Sequence, residues 1–158
     1  MEEKMNSNEK AGRILEDVKI NVKIKLAALW IALMFLYMYA DIKSFFQPGI
    51  IEQIIAGEVE GILITPTLLW ATAILMSIPG VMVMLSLTLK PQTNRWINIV
   101  VSVFHIGLAI MLMLMPGSWT YSYIYSIGQV VYLLLIIRIA WRWPNSENSP
   151  DIKPNKLG

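Results

Sequence analysis

Four long apolar stretches separated by short polar breaks set the terms for this chain: Leu26–Phe46, Ile62–Leu89, Trp96–Met115 and Tyr121–Trp143. Each is close to or above the ~20 residues a helix needs to cross a hydrocarbon core of ~30 Å. Backbone polar groups in lipid must satisfy one another, which a helix does within a single segment. A soluble domain of 158 residues has no use for four such segments. The pattern predicts an all-α, integral membrane four-helix up-down bundle with spans at about 26–46, 67–89, 96–115 and 121–143. The spans and their links, residues 13–144, form one transmembrane domain.

Composition agrees and narrows the chemistry. The chain is 56% hydrophobic and 15% charged, with a mean hydropathy of +0.55. A soluble domain carries about 25% charged residues. The absence of Cys excludes disulfides, thiolate metal sites and thiol chemistry. The single His, His105, cannot build a multi-His metal site. No metal or cofactor is expected. Residues 1–12 are polar and expected to be disordered, as is the tail Asn145–Gly158 with Pro150 and Pro154. No cleavable signal is read, because the first apolar run begins only at Leu26 and is too long for a signal-peptide core.

The charges sort by side. Lys4, Lys10, Arg13, Lys19, Lys23 and Lys25 precede the first span. Lys90 and Arg95 lie in the second break, and Arg138, Arg142, Lys153 and Lys156 close the chain. With four spans, twelve of the thirteen Lys and Arg residues fall on one side, Lys43 being the exception. The first loop, about residues 47–61, carries Glu52, Glu58 and Glu60 and no base. The positive-inside rule then places both termini in the cytoplasm. Contact with anionic lipid explains the basic residues better than nucleic acid does. The expected partners are membrane lipid and a second copy of the chain or another membrane protein.

The connections carry their own signals. Ile14–Lys25 reads ILEDVKINVKIK, which fits a helical lead-in by its fourfold spacing and a strand by its alternation; the approach to a membrane favours the helix. Pro48-Gly49 ends the first span. Ile50, Ile51, Ile54 and Ile55 make an apolar stripe that suits a short interfacial helix, stopped by Gly57. Glu58 and Glu60 read as a solvated turn, followed by a short extended piece at Ile62–Thr65. Pro66 suits the first turn of the second span. Pro79-Gly80 near its middle predicts a kink and frees the Leu75 carbonyl, with Ser77 as its local partner. Trp119, Tyr121, Tyr123 and Tyr125 read as an outer aromatic belt, and Trp141 and Trp143 as an inner one.

Polar groups at membrane depth are where function would show. Asp41 lies near the outer end of the first span, with Tyr37 one turn below and Tyr125 at similar depth on the fourth. That cluster reads either as a proton- or ligand-binding carboxylate or as an interfacial Asp that caps the span with Ser44. His105 falls close to the midplane of the third span, with Gln129, Ser77, Ser102 and Ser126 at neighbouring levels. The layer reads either as helix–helix glue or as a proton relay, since His titrates near neutral pH. Small residues at Ala28/Ala32, Ala73/Ser77 and Ser122/Ser126 permit close helix approach. The ten methionines read as flexible filler rather than a copper site. No phosphate loop, dinucleotide fingerprint, zinc-protease or nucleophile-elbow motif occurs, so nothing marks an enzyme.

The stretch EDVKINVKIKLAALWIALMFLYMYADIKSFF, then PG, the loop IIEQIIAGEVEGI and the segment ILMSIPGVMVMLSLTLKPQTNRWINI resemble a family of small uncharacterised prokaryotic four-span membrane proteins, a domain of unknown function. The resemblance runs from Glu16 to Pro144 and implies four spans in a prokaryotic plasma membrane, without assigning site residues. A looser likeness to DoxX-like proteins rests on architecture alone. Three function classes remain: an accessory or structural membrane protein, a small proton-coupled transporter using Asp41, and a quinone-linked or other membrane enzyme subunit with His105 near its site. Transport requires Asp41 in a water-reachable pocket, redox chemistry an apolar slot beside His105, and a scaffold neither.

Overall fold

The computed structural model describes residues 20–114 and 120–143. The terminal segments expected to be disordered, and Trp119 of the outer belt, lie outside these residues. Four helices carry the spans: α1 (Val22–Ser44), α3 (Pro66–Thr88), α4 (Pro91–Met113) and α5 (Thr120–Trp141). A short helix α2 (Ile50–Ala56) and a two-stranded hairpin, β1 (Glu58–Val59) and β2 (Ile62–Leu63), fill the first loop. The three 23-residue helices are each about 35 Å long at 1.5 Å per residue, enough to span a bilayer core. All four spans are long and apolar enough to cross a membrane. Most of their large apolar side chains face outward, among them Trp70 at 72% and Ile124 at 71% exposure. A soluble monomer does not present such a surface, so lipid is the solvent for these helices.

Local chemistry accounts for the boundaries. Asn21 caps α1, its Oδ1 accepting from the Lys23 N–H at 2.9 Å. Thr65 caps α3 through Oγ1, which accepts from the Leu68 N–H at 3.2 Å, and Pro66 follows in the first turn as expected. A short helix forms over the Ile stripe: Ile50 is buried, whereas Ile51 and Ile55 face outward. Gly57 ends it in the left-handed region at φ +85°. The expected solvated turn is a tight hairpin. Glu60 and Gly61 both have positive φ, 51° and 80°, as a two-residue turn between paired Val59 and Ile62 requires.

The third span begins earlier than expected, at Pro91 rather than near Trp96. Polar PQTN reads as loop, but Pro91 occupies the first turn, where its missing N–H costs nothing. Only Leu89 and Lys90 connect α3 to α4. Second, α3 is helical on both sides of Pro79, which is itself buried on the inner face with Met82 and Ser86.

The helices form a ring in chain order. α1 packs between α3 and α5, and α5 packs against α4, but α3 and α4 touch little. The apolar core is formed by Leu26, Trp30 and Leu33 of α1, Met82 of α3, and Leu133, Ile136 and Ala140 of α5. Six of the seven lie toward the end of the bundle that holds Lys23, Lys25, Lys90, Arg95 and Arg138, here termed the basic end, and Leu33 lies at the midpoint of α1. The opposite, loop end carries α2 and the hairpin. In lipid, close packing and hydrogen bonds hold helices together, not exclusion of water. Gly128 serves the packing: a Cβ there would lie 3.1 Å from Leu36 Cδ2, so α5 approaches α1 through a missing side chain.

Candidate functional site

The inner face of α4 is polar. Its buried residues are Asn94, Asn98, Ser102, His105 and Ala109. Their spacing of four, four, three and four places them on one stripe.

At the basic end the polar groups close on one another. The Trp30 indole N–H of α1 donates to Asn98 Oδ1 at 2.7 Å. Because an indole can only donate, this contact orients the Asn98 amide. Asn98 Nδ2 then donates to Asn94 Oδ1 at 2.6 Å and to the Asn94 carbonyl at 2.8 Å. Asn94 Nδ2 donates to the Ser86 carbonyl at 2.6 Å, and Ser86 Oγ donates to Asn98 Oδ1 at 3.3 Å. The circuit joins α1, α3 and α4, and Ser86, Asn94 and Asn98 are fully buried. Ser86 lies in the last turn of α3, whose carbonyls have no helical partner. Asn94 satisfies one of them, and the Lys23 ammonium donates to another, Leu87 O, at 3.2 Å. Nearby, the Arg95 guanidinium sits 5.0 Å from the centre of the Trp141 ring and ties α4 to α5. Sequence reading missed Asn94 and Asn98 because it placed Asn94 in a loop; the signal was the Asn94, Asn98, Ser102, His105 spacing.

From the middle of α4 toward the loop end the stripe changes character. Ser102 Oγ and His105 Nε2 are buried without a protein partner among the described residues. His105 is 4% exposed. Its Nδ1 lies 3.0 Å from the Val101 carbonyl. A carbonyl only accepts, so Nδ1 carries the proton and Nε2 of the neutral ring is an acceptor. The ring is held by Trp30, edge-on at 6.1 Å between centroids, and by Tyr37, stacked at 6.5 Å. His105 sits three residues beyond Ser102, the central residue of α4, hence closer to the loop end than the expected midplane.

A cavity of about 30 Å³ adjoins His105. Tyr37, Leu75 and Gln129 line it, as do Met76 and Leu112. Met76 and Leu112 are also 43% and 51% exposed on α3 and α4, so the cavity reaches the surface where those spans are loosely packed. Leu75 is the residue whose carbonyl Pro79, lacking an N–H, cannot bond. His105, whose Nε2 is an open acceptor, Leu75 and Gln129 therefore border one small apolar space. The volume matches about one water, or the polar tip of a larger molecule.

The sequence candidates divide accordingly. Tyr37, His105 and Gln129 meet at the cavity. Ser102 is buried one turn away, and Ser126 is half-buried outside the cavity lining. Ser77 does not join the layer. It is exposed on the outer side of α3, and its hydroxyl donates to the Ala73 carbonyl at 2.8 Å rather than serving Leu75. Asp41 is exposed in the last turns of α1, where its backbone carbonyl accepts from Ser44 Oγ at 2.6 Å. Neither Asp41 nor half-buried Tyr125 lines the cavity.

No curated protein and no solved structure matches the chain. Residues 13–149 match the model of a family of unknown function, DUF6326, and the chain belongs to that family.

Proposed function

We propose that this chain is an accessory protein of a prokaryotic plasma membrane that binds a lipid-soluble hydroxyl compound, such as a quinol, beside His105. One observation carries the reading: the buried Nε2 of His105, an acceptor without a protein partner among the described residues, borders a cavity reaching the surface between α3 and α4. A ligand diffusing in the bilayer enters laterally there, and its hydroxyl meets His105 Nε2. Both termini face the cytoplasm, following the basic residues. A transport reading draws less support, since Asp41 is exposed and lies off the cavity.

The test is binding of a decyl-substituted benzoquinol to purified protein in lipid, read by quenching of tryptophan fluorescence. Saturable quenching, about tenfold weaker in His105→Phe and unchanged in Asp41→Asn, is expected for one lost hydrogen bond to a buried acceptor. Equal binding by wild type and His105→Phe overturns the proposal. Proton flux in vesicles that Asp41→Asn abolishes transfers the reading to a carrier.

A further inference from the structure

A second recess lies at the basic end, between α1 and α5 and away from His105. It is a groove of about 320 Å³ whose walls are Ala28 and Leu29 of α1 and Leu135 and Ile139 of α5, with Lys25 at its rim. On α1, Lys25 shares a helix face with Ala28 and Leu29, one turn nearer the basic end. On α5 the same relation holds for Arg142, which follows Leu135 and Ile139 by seven and three residues. The Arg142 N–H still bonds the Arg138 carbonyl at 3.0 Å, so the helical turn extends to it. Lys25 and Arg142 are both exposed. Both walls are therefore apolar toward the middle of the bundle and end in a cation toward the basic end, Arg142 within about a turn of the level of Lys25. Alanine at position 28 widens the groove where a larger side chain would narrow it.

We infer that this groove seats one anionic phospholipid, its phosphate between Lys25 and Arg142 and one acyl chain along Ala28, Leu29, Leu135 and Ile139. Charge and polarity commit the occupant. The space is apolar where acyl chains lie and cationic where headgroups lie. A transmembrane helix of a partner protein would have no use for two cations at that level. The groove does not touch the His105 cavity, so it does not depend on that ligand.

Native mass spectrometry of the full chain tests this, comparing bound phosphatidylglycerol with bound phosphatidylcholine. Wild type should retain one phosphatidylglycerol preferentially. Lys25→Gln with Arg142→Gln should lower the preference by about fivefold for each cation removed. A matched Lys and Arg pair at the same end but off the groove, Lys90→Gln with Arg95→Gln, should leave it unchanged. Ala28→Phe, which fills the groove and keeps every charge, should also lower it. Equal loss in the two charge pairs would mean general attraction to the basic end and overturn the site. An unchanged preference in Lys25→Gln/Arg142→Gln, or in Ala28→Phe, overturns it as well. If the charge pair fails to fold, Ala28→Phe decides the question alone.

Discussion

Two halves of one helix face treat buried polar groups in opposite ways. Toward the basic end of α4, Asn94 and Asn98 are enclosed and bonded to Trp30, Ser86 and each other. Toward the loop end, Ser102 and His105 are as deeply buried but leave Oγ and Nε2 without a protein partner among the described residues. The apolar packing follows the same division, with the core cluster running from the basic end to Leu33 at the middle of α1. A satisfied network in lipid is a joint: it fixes which helices meet and in what register. An acceptor left open beside a cavity is a binding position, because its bond is still to be made. The joint also explains how α3 and α4 stay together despite little direct contact, since Ser86, Asn94 and Asn98 bridge them.

The contrast can be broken most directly at Asn98. Replacing it with Ala removes the acceptor for Trp30 and Ser86 and the donor to Asn94, at a cost of about 2–3 kcal/mol. Unfolding of the variant in detergent micelles measures this, and a loss below about 0.5 kcal/mol would mean that the network contributes little. Next in size is Gly128→Val. Its branched side chain meets Leu36 across the α1–α5 contact, and overpacking of this kind costs about 1–3 kcal/mol. Gly128→Ala should be much milder, because Leu36 Cδ2 is the end of a flexible side chain. Trp30→Phe keeps the packing and deletes one hydrogen bond to Asn98, for about 1 kcal/mol. His105→Phe completes the series with the smallest expected change in stability, within about 0.5 kcal/mol, since its Nε2 makes no hydrogen bond to protein among the described residues. Its effect should appear in quinol binding instead. A His105→Phe variant destabilised as strongly as Asn98→Ala would erase the distinction between joint and site.

The four spans were legible because lipid demands length and apolarity, and both are local properties of sequence. The short loop helix and its Gly57 stop were equally legible, since an Ile stripe and a glycine carry their geometry within a few residues. The start of α4 was misread for a related reason. Polar Gln92, Thr93 and Asn94 look like loop, and only the fold shows Asn94 buried against Ser86. Ser77 was placed on the wrong side because α3 is apolar all round, so its pattern does not distinguish an inner face from an outer one. α4 is the exception, and its row of polar residues does mark the inner face.

The membrane class, the number of spans and the charge asymmetry between the two ends are properties of the sequence alone, because they follow from composition summed over windows as long as a bilayer is thick. Which polar groups meet was decided only by the tertiary structure. Trp30 finds Asn98 across 68 positions of sequence, and Tyr37 finds His105 across a similar distance. Such pairings depend on the rotation of each helix about its axis. A helix surrounded by lipid has no solvent contrast to set that rotation, so it comes from its neighbours.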